Sequence, residues 1–309
     1  MTTLERFLLF GAAPGVLLLA LLEAVVLSRR GGYDWRAFGV SMFDFVLRLV
    51  VTLFVPFTIA APLVGWVLDH RLASIPMDGV GAALLLFITL EFFYYWLHRA
   101  GHRMRWFWAN HAVHHTPNQL SLAASLRIGA FGKLSGNVAF LLPLVWMGFD
   151  LRLVITALAL NLLYQFWIHA TWIPKLGWLE GVLNTPSAHR VHHAANLEYL
   201  DANYGGVLVI FDRLFGTYTA ERDDLPCRYG LVHPMTSYNP LMVEFSQWGS
   251  LARDLLRARS PRALLGLLVM PPGWSPQGDS QTTEDLRARQ HAFSTTSATA
   301  PETAVSRAL

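Results

Sequence analysis

The chain has 309 residues, of which 53% are hydrophobic and 15% are charged, and its formal net charge is +3. Soluble domains usually carry about 25% charged residues, so this composition favours a membrane protein with several apolar helices. No basic run is long enough to predict nucleic-acid binding, and the excess of arginine is typical of topology signals and contacts with anionic headgroups. The single cysteine, Cys227, excludes an internal disulfide and a thiolate metal cluster.

Apolar runs follow one another along the N-terminal half. The first covers about 7–27, and the basic pair Arg29 and Arg30 follows it, which favours a retained membrane helix over a signal peptide. The second and third runs cover about 43–68 and 79–97, each close to the roughly 20 residues that a bilayer requires. Two shorter runs, at 137–149 and 153–168, predict a helical hairpin.

The arginines predict the topology. One set lies between the first and second runs and another follows the third, so both sets fall on the same side after three crossings. The positive-inside rule makes that side cytoplasmic. We therefore expect an all-α integral membrane protein with about four to five membrane or hairpin helices and a cytoplasmic helical cap.

Histidines cluster at three places, in "HRAGH" at 98–102, "HAVHH" at 111–115 and "SAHRVHH" at 187–193. Residues spaced i, i+3 and i+4 share one face of a helix, so each cluster can converge. The predicted hairpin adds one more histidine on the same side. Imidazole suits borderline metals such as iron and zinc, and so many ligands suit two ions rather than one. The expected ligands are His98, His102, His111, His114, His115, His169, His189, His192 and His193.

Other interpretations explain the clusters less well. A lone interfacial histidine is usually only a hydrogen-bonded polar group, but that does not account for three clusters on one face. A zinc protease needs His-Glu-x-x-His, whereas "HRAGH" has Arg99 in place of the glutamate and is one residue longer. A site with many imidazoles and few carboxylates favours a non-haem metal pair that activates oxygen.

The three clusters resemble the histidine boxes of the fatty acid hydroxylase and sterol desaturase superfamily. Longer stretches, including "WFWANHAVHHTPNQLSLAASLR" and "NLEYLDANYGGVLVIFDRLFGTY", are similar to its alkylglycerol monooxygenase-like branch. The resemblance covers about 80–240 and does not extend to the tail. It implies an oxygen-dependent membrane oxidoreductase with two iron ions bound by the histidines, and a lipid or other aliphatic substrate.

The resemblance also bears on single residues and on the source of electrons. His169 matches an intermediate histidine, and Gln165 stands where some relatives have the first histidine of an HxxxH pair. The chain has no G-x-G-x-x-G motif, so electrons are expected from outside, from a pterin or a ferredoxin or cytochrome partner. Candidates to orient the imidazoles are Glu91, Gln165, Asp201 and Asn203.

Several questions stay open at this point. The expected reaction is lipid C–H hydroxylation, with a sterol-type desaturase or C-4 methyl oxidase as an alternative, and a non-catalytic membrane metal-binding protein as an alternative of another class. The site is expected on the cytoplasmic face of the inner membrane in a bacterium, or of the endoplasmic reticulum in a eukaryote. The expected divisions are membrane helices at 1–78, a fatty acid hydroxylase-like domain at 79–245, an amphipathic surface helix at 246–270 and a disordered tail at 271–309.

Overall fold

The computed structural model describes residues 3–299, which form helices, loops and isolated β-bridges. The first part contains α1 (Thr3–Arg6), a π-helical segment (Phe7–Ala12), α2 (Ala13–Arg29), α3 (Trp35–Phe54), α4 (Ala61–Asp69), α5 (Val80–Arg103) and α6 (Arg105–His115). The second part contains α7 (Leu142–Met147), α8 (Leu151–Trp167), α9 (Pro186–His192), α10 (Ile210–Leu214), α11 (Pro240–Arg257), α12 (Pro261–Val269) and α13 (Thr283–Thr299). Short 3₁₀ segments occur at Leu122–Leu126, Asn137–Leu141 and Gly177–Leu179. The predicted all-α class is confirmed for the described residues.

Two helices of the described chain, α3 and α5, are long and apolar enough to cross a bilayer. Both expose large apolar side chains, among them Leu53 and Phe54 on α3 and Val80 and Leu84 on α5. Exposed side chains of this kind suit a helix whose outer face meets lipid rather than water.

The run predicted as one span at about 43–68 is divided into α3 and α4. Val55 is extended, with φ −110° and ψ 97°, and it precedes Pro56. The ring of a proline disfavours the α conformation in the residue before it, so α3 ends there. The shorter α4 then packs against α7.

The predicted hairpin is formed by α7 and α8. Gly148 connects them with φ +122°, and a Cβ at that position would lie 2.7 Å from the carbonyl oxygen of Ala73. Asp150 then caps α8 by accepting a hydrogen bond from the Arg152 N–H. Buried Leu90, Leu144 and other apolar side chains pack the hairpin against α5. This packing brings the end of α8, and with it His169, towards the end of α5.

The segment after residue 240 differs in detail from the sequence-based expectation. The amphipathic region expected at 246–270 is made of two helices, because Ser260 caps a new helix that begins at Pro261. In the segment expected to be disordered, 271–309, the structure has α13, while residues 300–309 lie outside the described part. The domain boundaries themselves stay predictions.

The Arg287 side chain attaches α13 to the histidine-bearing part of the fold. Its guanidinium donates to the carbonyl oxygens of Leu197 and Leu200, each at 2.8 Å. We expect Arg287→Ala to raise amide hydrogen exchange in 283–290 roughly tenfold, because hydrogen bonds from a charged donor are among the stronger ones. Gln290→Ala, which removes only a 3.4 Å contact with Glu198, is the control. Equal exchange in the two variants would contradict this role.

Candidate metal centre

Nine histidines converge in two adjacent groups. The ligand atoms within each group lie within 4.8 Å of one another. The first group comprises His98, His102, His111, His115 and His192, and the second comprises His114, His169, His189 and His193. All nine histidines expected to bind metal are therefore members of one of these groups.

Four structural elements deliver these side chains. The end of α5 carries His98 and His102, and α6 follows after a single extended residue, Met104. This tight connection packs α6 against α5, so that histidines from both helices face each other. The loop after α8 provides His169. The short helix α9, capped by Thr185 and beginning at Pro186, carries the third cluster.

Backbone carbonyls orient four of the rings through Nδ1. Tyr204 O lies 2.9 Å from His98 Nδ1, and Ala202 O lies 2.9 Å from His192 Nδ1. In the second group, His114 Nδ1 lies 2.7 Å from Arg127 O. His169 Nδ1 lies 2.8 Å from Gln165 O. Because a carbonyl oxygen only accepts, each Nδ1 must carry the proton, and each Nε2 of a neutral ring presents a lone pair.

The Nε2 atoms point at one another. His114 Nε2 and His169 Nε2 are 3.4 Å apart, although both are acceptors in the tautomers that their carbonyl partners require. Similar Nε2–Nε2 separations of 3.1 Å join His189 to His169 and to His193. Two imidazoles bound at right angles to one ion, with metal–nitrogen bonds of about 2.0–2.1 Å, have nitrogens about 3 Å apart. The donor set therefore fits a cation in each group.

Burial keeps the imidazoles in the form that binds metal. It lowers the pKa of His114 to about 4 and that of His192 to about 3, because the charged ring would lose its hydration. Neutral imidazole is the ligand form at physiological pH. The Nε2 atoms of His102 and His192 are buried and have no hydrogen-bond partner among the described residues. Such orphaned acceptors are costly unless a cation binds them.

The loop at 202–212 supports the first group. Asp212 accepts hydrogen bonds from the backbone N–H groups of Tyr204, at 2.7 Å, and Gly205, at 2.8 Å. Glu91 accepts from the backbone N–H groups of Val207 and Leu208, both at 2.8 Å. These buried carboxylates fix the chain at and after Tyr204, whose carbonyl holds His98, and the carbonyl of Ala202, which holds His192, lies two residues earlier.

The loop at 127–131 supports the second group in a comparable way. Asn110 accepts from the Phe131 N–H at 2.9 Å and donates to Ile128 O at 3.1 Å. Asp44 of α3 accepts from the Ile128 N–H at 3.0 Å, and Glu244 of α11 accepts from the Ala130 N–H at 3.3 Å. The loop that places the carbonyl for His114 is thus held by three different helices.

The four predicted supporting residues have different roles. Asp201 has its carboxylate 3.8 Å from His102 Nδ1 and 2.7 Å from the Arg103 guanidinium. Asn203 bonds to the backbone of Ala188 and Thr219, so it positions the loop that holds His192. Gln165 contributes its carbonyl to His169, while its side-chain amide bonds to Tyr94 and Asn161. Glu91 hydrogen bonds to Asn161 and to backbone N–H groups.

Several supporting groups were not among the predicted site residues. The carbonyl acceptors of Arg127, Ala202 and Tyr204 carry no side-chain signal that sequence reasoning could have used. Asp44 and Glu244 lie far apart in sequence, and only tertiary packing brings them to one loop. A signal did exist for Asp44, because a carboxylate within an apolar helix usually has a structural or functional partner.

An apolar cavity of about 540 Å³ reaches both groups. It touches His98 and His111 of the first group and His114 and His169 of the second. The apolar lining includes Leu97, Phe107, Leu141, Ile155, Leu158 and Leu162. A second cavity, of about 250 Å³, touches only the first group and is walled in part by residues 271–273 and 281–286.

Comparison with known proteins connects this site to a family. The fatty acid hydroxylase family model matches residues 83–217, which include every histidine of both groups. Residues 83–217 thus carry a fatty acid hydroxylase domain. The resemblance inferred from the histidine motifs is therefore confirmed.

Individual relatives carry the names of lipid-modifying enzymes. The chain is 34% identical to alkylglycerol monooxygenase of Homo sapiens over 233 residues, 74% of this chain and 52% of that protein. It is 37% identical to the Danio rerio protein of the same name over 208 residues, 67% of this chain and 46% of the relative. It is 30% identical to ornithine lipid hydroxylase OlsE of Rhizobium tropici over 131 residues, 42% of this chain and 40% of the relative. The chain thus spans about half the length of the alkylglycerol monooxygenases that it matches, and no solved structure matches it.

Asp212 provides a test of the carbonyl scaffold. In Asp212→Asn one acceptor oxygen becomes a donor, so the N–H groups of Tyr204 and Gly205 can no longer both be satisfied. We expect the affinity for iron to fall by roughly tenfold or more, as is typical when the support of a ligand is removed. Asp224→Asn, which changes an exposed carboxylate paired with Arg222, is the matched control. Equal iron affinity in wild type and Asp212→Asn, measured by competition with a chelator, would show that the loop does not depend on this carboxylate.

Glu244 provides a pH test of the 127–131 loop. Burial, together with the neighbouring Asp44, raises the pKa of Glu244 to about 8. Between about pH 4.5 and about pH 8 the folded state therefore binds one more proton at Glu244 than the unfolded state does. The free energy of unfolding falls as pH rises through this range and levels off above it.

Removing this carboxyl should flatten the pH profile. We expect Glu244→Gln to lose less thermal stability than wild type between pH 5 and pH 8, the range chosen to span the titration. Exposed Glu198 offers the control Glu198→Gln, for which the profile should follow wild type. Parallel unfolding temperatures for wild type and Glu244→Gln would rule out a protonated Glu244.

Proposed function

We propose that this protein is a membrane oxidoreductase that uses two iron ions, oxygen and an external electron donor to hydroxylate an aliphatic C–H bond of a lipid. The observation that carries the proposal is the pair of histidine groups at an apolar cavity. The printed names of the relatives, a monooxygenase and a lipid hydroxylase, support the same reaction class. Because the chain spans about half of those monooxygenases, the activity is proposed from the site rather than taken over from them.

The reaction needs both a metal centre and a source of electrons. One oxygen atom enters the C–H bond and the other leaves as water, so each turnover consumes two electrons and two protons. When bound, two iron ions would supply the binding and reduction of oxygen. Imidazole is a good ligand for iron, and the carboxylates near the site are hydrogen bonded to backbone or paired with arginine. The electron donor is proposed to be external, a pterin or a ferredoxin or cytochrome partner.

The protein's own residues bind the substrate and exclude water. Leu158, Leu162 and Phe107 line the cavity with side chains that match a hydrocarbon chain. Tyr94 lies at the same cavity and donates its hydroxyl to Gln165, at 3.0 Å, so that this polar group is satisfied. The carbonyl-bound rings stay neutral and oriented. The substrate carbon is therefore held against the histidine groups in a largely apolar environment.

The finer topology belongs to the same proposal. We infer about four to five membrane or hairpin helices, with the histidines on the cytoplasmic side, from the distribution of arginines. The proposed catalytic unit is 79–245, preceded by membrane helices at 1–78 and followed by surface helices and a tail. The exposed apolar faces of α3, α5 and α8 support insertion into a bilayer.

Two alternatives make different predictions for the same site. A sterol-type desaturase or C-4 methyl oxidase would use the same ligands and differ only in its substrate and product. A non-catalytic metal-binding protein would hold metal without consuming oxygen. The apolar cavity at the histidines favours a catalyst, because a storage or transfer site has no need of a space for a hydrocarbon chain.

Substitution of the histidines tests the metal centre. We expect His114→Ala and His192→Ala each to lower bound iron by roughly half or more and to abolish incorporation of ¹⁸O from ¹⁸O₂ into lipid products, because each removes a ligand from one group. His70→Ala is the control, since His70 stacks on Trp66 and lies in neither group. Normal iron content in both ligand variants would reject the assignment, and iron binding by wild type without oxygen consumption on any lipid would favour the non-catalytic alternative.

A further inference from the structure

Arg48 lies in the second half of α3, one of the two helices able to cross a membrane. It lines the same cavity as His98, His114 and His169. A guanidinium within an apolar helix is expensive to place, and residues of this kind usually pair with another charge or serve a ligand. The cavity is therefore not uniformly apolar, because one part of its wall carries a cation.

This guanidinium makes no hydrogen bond within the described residues. Its Nε is buried without a partner, and its central carbon lies 5.4 Å from the centre of the Phe45 ring. The acid one turn earlier, Asp44, uses one carboxylate oxygen to accept from the Ile128 N–H. The donors of Arg48 are thus available to a molecule that enters the cavity.

A second cation lies on the same wall. The Lys133 ammonium group lines the cavity and donates to the carbonyl oxygens of Thr52, at 3.1 Å, and Val55, at 2.8 Å. An ammonium group has three N–H donors, so one remains for a ligand. Lys133 and Arg48 together give this part of the wall two cationic groups.

The nearby acids do not cancel this positive charge. Asp44 and Glu244 lie next to each other, and each has one buried oxygen without a donor in the described chain. A single shared proton satisfies both oxygens, which leaves one negative charge on the pair. Buried Arg127 and Arg48 both lie close enough to this pair to interact with it electrostatically, and one negative charge balances only one of them. With Lys133 on the same wall, the positive charges there exceed the negative ones.

We propose that Arg48, assisted by Lys133, binds the anionic headgroup of a lipid substrate, a phosphate or carboxylate, while its hydrocarbon chain extends along the apolar wall towards the two histidine groups. This inference rests on the proposed function for the identity of the cavity as a substrate site. It adds that the enzyme selects amphiphiles with an acidic headgroup over neutral ones with the same chain. Arginine is suited to this task, because its planar fork of donors matches carboxylate and phosphate oxygens.

Equilibrium binding to the full-length, metal-loaded protein without an electron donor tests the inference, because no turnover is needed. The probes are hexadecyl phosphate, hexadecanol with the same chain, and inorganic phosphate. We expect wild type to bind hexadecyl phosphate roughly tenfold or more tightly than hexadecanol, since charge-assisted hydrogen bonds to an anion are strong. Inorganic phosphate should compete weakly, because it lacks the chain that fills the apolar part.

Substitutions of Arg48, with a control substitution of another arginine on the same helix, test whether Arg48 causes the preference for hexadecyl phosphate. Arg48→Met should lose the preference for hexadecyl phosphate and keep wild-type affinity for hexadecanol, which also shows that the cavity is intact. Arg48→Lys should restore part of the preference. Arg36→Met removes the same charge from the same helix at a position stacked on Tyr238 outside this cavity, and it should behave as wild type.

Three results would overturn the inference. These are equal affinity of wild type for the two lipids, an unchanged preference in Arg48→Met, and full displacement of hexadecyl phosphate by inorganic phosphate. If Arg48→Met fails to fold, Arg48→Lys and Lys133→Met in the same assay decide the matter, since unchanged preference in both would also reject it. Failure of hydroxylation would leave these binding results unaffected, so the two proposals fail separately.

Discussion

The structure depends on the lone pairs of buried imidazole nitrogens that point at one another. Carbonyl oxygens bind the Nδ1 protons of His98, His114, His169 and His192, so the Nε2 atoms of these neutral rings are acceptors. Acceptors at the separations seen here repel unless a cation lies between them. The rest of the fold can be understood as the scaffold that holds this arrangement together in the absence of carboxylate ligands.

That scaffold uses buried acids indirectly. Asp212 and Glu91 bind backbone N–H groups of one loop, and Asp44 and Glu244 bind those of another, so each acid holds a loop rather than a histidine. A loop whose N–H groups are fixed presents its carbonyls in fixed directions. This division of roles directs these four carboxylates to backbone N–H groups rather than to histidine nitrogens, so the candidate metal site is rich in imidazole.

Two cavities of different size reach the histidine groups. The larger cavity meets both histidine groups and is walled in part by α3, α5, α6 and α8. The outer faces of α3, α5 and α8 carry exposed apolar side chains. The smaller cavity meets only the first group from the side where the C-terminal helices pack. A lipid and a water-soluble reactant could therefore approach the metals from different directions. Arg48 places a cation in the wall of the larger cavity, so the two ends of an amphiphile would meet different surroundings there.

Local patterns in the sequence were sufficient to predict which histidines converge, because residues at i, i+3 and i+4 share a helix face regardless of the rest of the chain. The all-α class, the hairpin around Gly148 and the family followed from similarly local signals. The break at Val55, the two helices at 240–269 and α13 differed from expectation, because prolines, caps and tertiary contacts such as those of Arg287 decide where a helix ends or docks. The sequence alone thus predicted which nine histidines converge in the two groups. Only the tertiary structure decided which carbonyls orient four of the rings, which acids hold those loops and which cations line the cavity. Most of these contacts join residues far apart in the chain and depend on packing that no local pattern encodes.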